Sequence, residues 1–85
     1  MAHVYVLKSS KNRFYIGASD NLEQRLDFHN SGRVYSTKRL GLPLTLVASQ
    51  YCDTMHQALA LEKKYKSWKN AKKVIAHINT LSSPD

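Results

Sequence analysis

Sulfur and long apolar runs are scarce in this chain of 85 residues. The single cysteine, Cys52, excludes an internal disulfide, and one unpaired thiol is typical of a reducing intracellular setting. No stretch approaches 18 consecutive apolar residues, and no apolar segment follows a basic start, which argues against a membrane-spanning helix and a secretion signal. We therefore expect a soluble, cytoplasmic protein without a membrane partner.

Several familiar catalytic and metal-binding patterns are also missing. The sequence has no G-x-S-x-G, no Walker loop, no G-x-G-x-x-G and no internal repeat. Its histidines form no H-x-x-x-H pair and join no C-x-x-C, so a structural zinc site is not expected. Without a thiol-activating motif, Cys52 is interpreted as a strand-end residue rather than a nucleophile. The histidines are His3, His29, His56 and His77.

Acidic residues are few, with six Asp and Glu against thirteen Lys and Arg, a net charge of +7 and a sequence pI of about 9.8. So strong a bias in a small chain indicates an anionic partner, nucleic acid before a membrane surface. A hydrophobic content of 42% is ordinary for a folded protein, and the length leaves room for one domain. We predict a single monomeric domain over residues 1–81, with a short tail at 82–85.

The ordered part of the chain begins with two strands that each carry a tyrosine. Residues 3–8 and 13–17 are rich in β-branched and aromatic side chains and flank a polar turn, which predicts a β-hairpin. If Tyr5 lies opposite Tyr15, both phenols share a face about 5 Å apart at Cβ, whereas a slip of one residue separates them. Paired strand tyrosines are more often structural than catalytic, so the two tyrosines alone are weak evidence for a catalytic site.

A helix is predicted over residues 21–30, with an N-cap at Ser19-Asp20 and a stripe that includes His29. Gly32 suits its C-terminal end. Residues 33–43 form a basic connection, either a solvated loop or a segment that touches phosphates, and residues 44–51 read as a third strand. The connection holds Arg33, Lys38 and Arg39.

The second predicted helix opens with a capping box at Thr54 and Gln57 and runs to about residue 69. Glu62 falls on its apolar arc, where a carboxylate is costly unless it is paired or bound to a metal. Pairing with Lys66 one turn on and metal binding are equally compatible with the pattern. A last helix follows, so the predicted fold is α/β of the α+β type: a small three-stranded, mainly antiparallel sheet flanked by helices in the order β-β-α-β-α-α.

Lysines are concentrated between residues 63 and 73, interleaved with Tyr65 and Trp68. They form either a solvated helix face or a patch that follows a phosphate backbone. The residues predicted to contact nucleic acid are Lys38, Arg39, Lys63, Lys66, Lys69, Lys72 and Lys73.

Taken together, these features resemble the GIY-YIG nuclease family, and most closely its small single-domain branch similar to the nuclease domain of an excision-repair enzyme. The resemblance spans about residues 2–80 and rests on Y-I-G at 15–17, L-E-Q-R-L-D-F-H-N-S-G at 22–32 and A-L-A-L-E-K-K-Y-K-S-W-K at 58–69. The usual first motif, G-I-Y, stands here as His3-Val4-Tyr5, which keeps only the tyrosine. The residues that match family site positions are Tyr5, Tyr15, Arg25, His29 and Glu62.

The resemblance implies a divalent-metal-dependent endonuclease that hydrolyses phosphodiester bonds in DNA, in repair or recombination. One Mg²⁺ or Mn²⁺ would be held by Glu62, lying over the hairpin face that carries the tyrosines, with no small-molecule cofactor. Tyr5 would be the general base, with its pKa lowered by the metal or by a neighbour, for which His29 is the natural choice. Tyr15 would orient water or bind phosphate, and Arg25 would clamp the phosphate. A further family asparagine could correspond to Asn70 or to Asn79. The alternative is a non-catalytic, basic nucleic-acid-binding module of the same fold.

Overall fold

The computed structural model describes residues 2–32, 34 and 38–82, and these form three strands and three helices. The order is β-β-α-β-α-α, so the predicted α+β class is confirmed. Arg33 and the tail residues 83–85 lie outside the described residues, and the interpretations placed on them stay predictions. The elements are β1 (Ala2–Lys8), β2 (Phe14–Ser19), α1 (Leu22–Asn30), β3 (Thr45–Cys52), α2 (Met55–Ser67) and α3 (Ala71–Ser82).

The three strands form one antiparallel sheet in which β1 is central, between β2 and β3. The hairpin register places Tyr5 opposite Gly17 and Leu7 opposite Tyr15. The two tyrosines are therefore diagonal neighbours offset by two residues, which keeps both side chains on one face of the sheet. The two tyrosines are not directly paired in this register, but they lie on the same face of the sheet, as they would in a direct pairing.

The two faces of the sheet are covered by different helices. The face that carries Val4 packs against α2 and α3, through Tyr65 and Ile78. The opposite face carries Tyr5 and packs against α1, through Leu26. Because side chains alternate along a strand, the apolar sequence of β1 supplies a core on each side.

The start of α1 differs from the prediction. Its N-cap is Asn21, whose Oδ1 accepts a hydrogen bond from Gln24 N at 3.1 Å. Ser19 lies two residues before the N-cap. Its hydroxyl accepts a hydrogen bond from Asn21 N at 3.0 Å, which stabilises the turn that leads into the helix. Gly32 ends this segment with φ of +80°, a conformation that glycine adopts without steric cost.

Of the predicted capping box at the start of α2, the bond to the Thr54 side chain is confirmed, whereas the Gln57 side chain reaches Asp53 instead of Thr54. Thr54 Oγ1 accepts a hydrogen bond from Gln57 N at 3.1 Å. Gln57 Oε1 in turn accepts one from Asp53 N at 3.1 Å, one residue before the cap. These bonds fix where α2 begins, and therefore which of its residues reach the edge of the sheet at β2.

The end of α1 is tied to the start of β3. Asn30 Oδ1 accepts a hydrogen bond from Leu44 N at 2.6 Å, and Asn30 Nδ2 donates to Leu44 O at 3.0 Å. The amide thus satisfies both backbone groups of one residue, as a neighbouring strand would. This link holds α1 against the tyrosine face of the sheet.

Candidate active site

Tyr5 lies at the centre of a cluster of polar and aromatic groups on the α1 face of the sheet. It is 1% exposed, and its Oη is 3.0 Å from Nε2 of His29, which is fully buried on α1. The ring of Tyr15 completes the cluster, with its centroid 6.4 Å from that of Tyr5 and 5.1 Å from that of His29. The structure therefore brings together three of the five predicted site residues in direct contact.

Gly17 makes room for the Tyr5 ring. A Cβ at this position would lie 2.5 Å from Tyr5 Oη, 2.7 Å from Tyr5 Cζ and 3.0 Å from Tyr15 Cε1. The register explains the contact, because Gly17 is the residue directly opposite Tyr5. The glycine of Y-I-G is required here for space, since a larger residue would push the phenol away from His29.

Burial controls the ionisation of the Tyr5–His29 pair. The prediction that His29 lowers the pKa of Tyr5 is wrong, because burial raises that pKa to about 12, and the group that opposes the rise is Arg25, through a hydrogen bond. The pKa of His29 is lowered, first by burial and then by the positive charge of Arg25. At neutral pH Tyr5 is therefore protonated and His29 is a neutral ring, and the tautomer of His29 decides which of the two donates the hydrogen bond.

Arg25 projects from α1 toward the same hydroxyl. Its Nε is buried and has no hydrogen-bond partner among the described residues, and its guanidinium carbon lies 5.6 Å from the centroid of the Phe28 ring. A buried donor without an acceptor is uncommon and costs free energy. An oxyanion bound at this point would satisfy that donor, as a forked guanidinium does with phosphate.

Glu62 is carried by α2, and its charge acts on Tyr5. That it lies over the tyrosine face of the hairpin stays a prediction. The helix packs on the Val4 face, because Tyr65 and Ala58 bury their side chains there. Glu62 is 19% exposed and close enough for its charge to contribute to the raised pKa of Tyr5.

The predicted pairing of Glu62 with Lys66 is present. Lys66 Nζ lies 2.7 Å from Glu62 Oε2, and the same Nζ is 5.8 Å from the centroid of the Tyr15 ring. Glu62 Oε1 has no hydrogen bond to the described residues. Lys66 is half exposed, and a partly exposed ion pair of this kind contributes at most about 1 kcal/mol.

The donor set around Glu62 suits one hard cation and no soft metal. Within residues 2–32, 34 and 38–82, no three His, Cys, Asp or Glu side chains come together as a metal cluster. Zinc sites need three or four protein ligands. Mg²⁺ retains several waters and is commonly held by one or two carboxylates together with a substrate phosphate, so the residues present fit it.

The lysines predicted to contact nucleic acid are distributed unevenly around this site. Lys63 and Lys66 line a groove of about 330 Å³ with Glu62, and Lys66 and Lys69 line a second groove with Tyr15. Lys72 and Lys73 are exposed on α3, where Lys73 Nζ is 5.5 Å from the centroid of the Trp68 ring. Lys38 and Arg39 are exposed and line neither groove.

Of the two asparagines left open by the sequence, Asn70 is the one beside the site. It lines the groove with Tyr15 and caps α3, because its Oδ1 accepts a hydrogen bond from Lys73 N at 3.1 Å. Asn79 is exposed on α3 and lines neither of the two grooves. Phe14, which the sequence analysis did not single out, also lines the Tyr15 groove.

Two predictions about other parts of the chain can be assessed. Cys52 is the last residue of β3 and is buried, and burial raises the pKa of its thiol, so the interpretation as a strand-end residue is confirmed. None of the described helices is long and apolar enough to cross a membrane.

Comparison with known proteins identifies the pattern of this site. Residues 1–75 match the family described as the GIY-YIG catalytic domain. A UPF0213 protein of Streptococcus pyogenes serotype M5 is 30% identical over 79 residues, which cover 93% of this chain and 86% of the relative. A UPF0213 protein of Streptococcus pneumoniae strain R6 is 32% identical over 72 residues, covering 85% and 73%. No solved structure matches the chain with comparable significance.

Proposed function

This chain belongs to the GIY-YIG catalytic-domain family, a family of nucleases, and on that premise we propose that it is a divalent-metal-dependent endonuclease that hydrolyses phosphodiester bonds in DNA. The observation that carries the proposal is the buried contact of 3.0 Å between Tyr5 Oη and His29 Nε2, with Arg25 beside it. Three groups with complementary acid–base properties meet there. A cell would use such an activity in DNA repair or recombination.

The Tyr5–His29 pair supports a proton path for the attacking water. Tyr5 holds its proton, since its pKa is raised to about 12, and neutral His29 would accept through Nε2 in the tautomer with its proton on Nδ1. As the water oxygen bonds to phosphorus and the bond from phosphorus to the leaving sugar oxygen breaks, the water proton would pass to Tyr5 Oη while the Tyr5 proton passes to His29. General-base catalysis of this kind contributes about 10²–10⁴ to a rate. Tyr15, next to both rings, orients the water or the phosphate.

Arg25 supplies positive charge where negative charge develops. Its buried Nε without a partner among the described residues is a donor prepared for a phosphate oxygen. The guanidinium is fork-shaped and always charged, so it can bind two oxygens of the five-coordinate phosphorus at once. Substituting Arg25 would therefore slow the chemical step more than it weakens binding of the DNA.

Glu62 would hold the metal through its carboxylate, from which Lys66 must move away. Both groups are positioned by one turn of α2, and Oε1 is free of hydrogen bonds to the described residues. A bound Mg²⁺ or Mn²⁺ would polarise the phosphate and stabilise the leaving oxygen. Lys66 Nζ lies 5.8 Å from the centroid of the Tyr15 ring while it is paired with Glu62, so once released it would be near enough to pair with the phosphate on that side.

The ion pair between Glu62 and Lys66 also favours a second candidate, a non-catalytic DNA-binding module. In that case Lys66 neutralises Glu62 permanently, and the net charge of +7 provides salt-dependent binding. Such a module would need neither a divalent ion nor the carboxylate.

Nicking of supercoiled plasmid in Mg²⁺ separates the two candidates. We expect the wild-type protein to nick, and Glu62→Gln, which keeps the shape of the side chain, to lose at least about 100-fold in rate, because the charge that holds the metal is gone. Glu23→Gln is the control, since Glu23 is an exposed acid in the first turn of α1. Equal rates for Glu62→Gln and Glu23→Gln, or nicking that continues in EDTA, would contradict the proposal.

A further inference from the structure

A second groove opens directly beside Tyr15, at the outer edge of β2. It has a volume of about 330 Å³ and lies between β2 and the junction of α2 with α3. We call it the β2 groove; its walls include Phe14 and Ile16, and Lys66, Lys69 and Asn70 form its rim. None of the roles assigned above to Tyr5, His29, Arg25 and Glu62 uses it.

We propose that the β2 groove binds one unpaired nucleotide of the DNA, next to the phosphate that is cut. This inference rests on the proposed endonuclease function and adds a substrate class to it: DNA with a single-stranded segment at the cleavage site. Three properties of the groove carry the proposal, namely its aromatic wall, its cationic rim and its position.

The wall of the groove offers a surface on which a base can stack. Phe14 and Ile16 are both half-buried, with their inner sides packed on the core cluster and the remainder facing the groove. Every base has a π face, so stacking on an aromatic side chain is tolerant of sequence. A base within a duplex is already stacked on its neighbours, whereas an unpaired base gains a new partner here.

The rim of the groove is positive and carries a free amide donor. Lys66 and Lys69 are exposed lysines, and no acidic side chain lines the groove among the described residues. Lys66 Nζ pairs with Glu62 outside the groove, so Lys69 is the rim cation that forms no ion pair with the described residues. Asn70 Oδ1 is committed to the cap of α3, while its Nδ2 has no hydrogen bond to the described residues. The rim can therefore pair with a phosphate and donate to the edge of a base, two contacts that a nucleotide satisfies together.

The position of the groove connects it to the catalytic cluster. Tyr15 lines it, and Lys66 lines both this groove and the one that contains Glu62. A phosphate held near Lys66 would therefore place the adjoining base in the β2 groove. The volume is at the lower end of the about 300–1,000 Å³ typical of small-molecule pockets, which suits one nucleotide.

The test is binding in EDTA, where cleavage does not interfere. The probes are a DNA duplex with a short single-stranded tail that carries a fluorescent adenine analogue, and the same duplex with blunt ends. Phe14→Leu removes the aromatic wall, and Lys69→Gln removes one rim charge. The matched controls are Tyr51→Leu, an exposed aromatic on β3, and Lys64→Gln, an exposed lysine of α2 that does not line the groove.

We expect the wild-type protein to prefer the tailed duplex by about fivefold or more and to quench the analogue. Phe14→Leu should abolish most of that preference, a change of about fivefold or more. Lys69→Gln should weaken binding of the tailed duplex about threefold. It should also reduce the slope of the logarithm of the binding constant against the logarithm of salt concentration by about 1, the value for one lost phosphate contact. Both controls should keep the preference for the tailed duplex.

Circular dichroism melting shows whether Phe14→Leu is folded. Lys69 is exposed, so Lys69→Gln tests the groove independently of that result.

Equal wild-type affinity for the tailed and blunt duplexes would overturn the proposal. The same conclusion follows if each groove variant behaves like its control. Failure of the nuclease proposal has a different signature, which is absence of nicking in Mg²⁺ whatever the DNA. The binding measurement without metal therefore decides on the groove separately.

Discussion

At the scale of single residues, Gly17 leaves no room for a side chain beside Tyr5. The phenol lies over the glycine of the neighbouring strand, so that any side chain at position 17 would occupy the space of the hydroxyl. The same closeness holds Tyr5 Oη against His29 Nε2. The glycine of Y-I-G thus matters for the position of a tyrosine on a different strand.

Gly17→Ala should destabilise the fold by about 1–3 kcal/mol, because the new methyl group would lie 2.5 Å from Tyr5 Oη and force the ring to move. Urea unfolding measures the loss. In a Tyr5→Phe background the closest atom is absent, so the same substitution should cost less. Ala18→Ser, on the adjacent residue, is the control for adding one atom to β2. An equal cost of Gly17→Ala in the wild-type and Tyr5→Phe backgrounds would show that the contact is not what requires the glycine.

At the scale of elements, α2 determines how the two sides of the sheet cooperate. It packs on the Val4 face, yet it carries Glu62 close enough to Tyr5 for its charge to raise the pKa of that phenol. One helical turn separates Glu62 from Lys66, which is the spacing at which opposite charges meet. The helix therefore presents a carboxylate together with a cation that competes for it.

Lys66→Met should strengthen binding of Mn²⁺ by about threefold, because it removes the cation that pairs with Glu62 while leaving the carboxylate in place. Electron paramagnetic resonance of free Mn²⁺ measures the affinity and requires no nuclease activity. Lys64→Met is the matched control, since it removes the same charge from an exposed position of α2 without touching Glu62. Equal affinities for the two variants would mean that Lys66 does not compete for the site.

At the scale of the whole molecule, His29 links the acid–base chemistry to folding. It is fully buried between α1 and the sheet, and both its pKa and that of Tyr5 are shifted mainly by that burial. The folded protein disfavours the charged form of His29, whereas the unfolded chain does not. Folding stability must then depend on pH.

The free energy of unfolding should fall as the pH drops below the usual His pKa of 6.5. Because the pKa of His29 is lower in the folded state, its contribution is fully present above 6.5 and is lost as the pH falls through the lowered value. Urea unfolding at several pH values, from about 7.5 downward, measures this dependence. The part of this pH dependence that comes from His29 should disappear in His29→Gln. It should remain in His56→Gln, since His56 is exposed. A wild-type curve with the same slope as that of His29→Gln would contradict the assignment.

The sequence by itself determined the order of the elements and the identity of the family. β-Branched and aromatic residues around a polar turn predicted the hairpin strands, and the Thr54 capping box predicted the start of α2. The phrases around Tyr15, Arg25 and Glu62 predicted the GIY-YIG family. These features depend on neighbours in the chain, so local patterns suffice to find them. The cap of α1 was misplaced by one to two residues, because Ser, Asp and Asn at positions 19–21 are all suitable caps.

Only the tertiary structure decided the register of the hairpin, the face on which α2 packs and the existence of the β2 groove. Periodicity gives the spacing of residues within an element and contains nothing about the offset between two elements. Tyr5 could therefore have faced Tyr15 directly, yet it faces Gly17. The side of the sheet on which α2 packs depends on how the side chains of Tyr65 and Val4 fill a shared core. The volume of that core cannot be read from a linear pattern of residues.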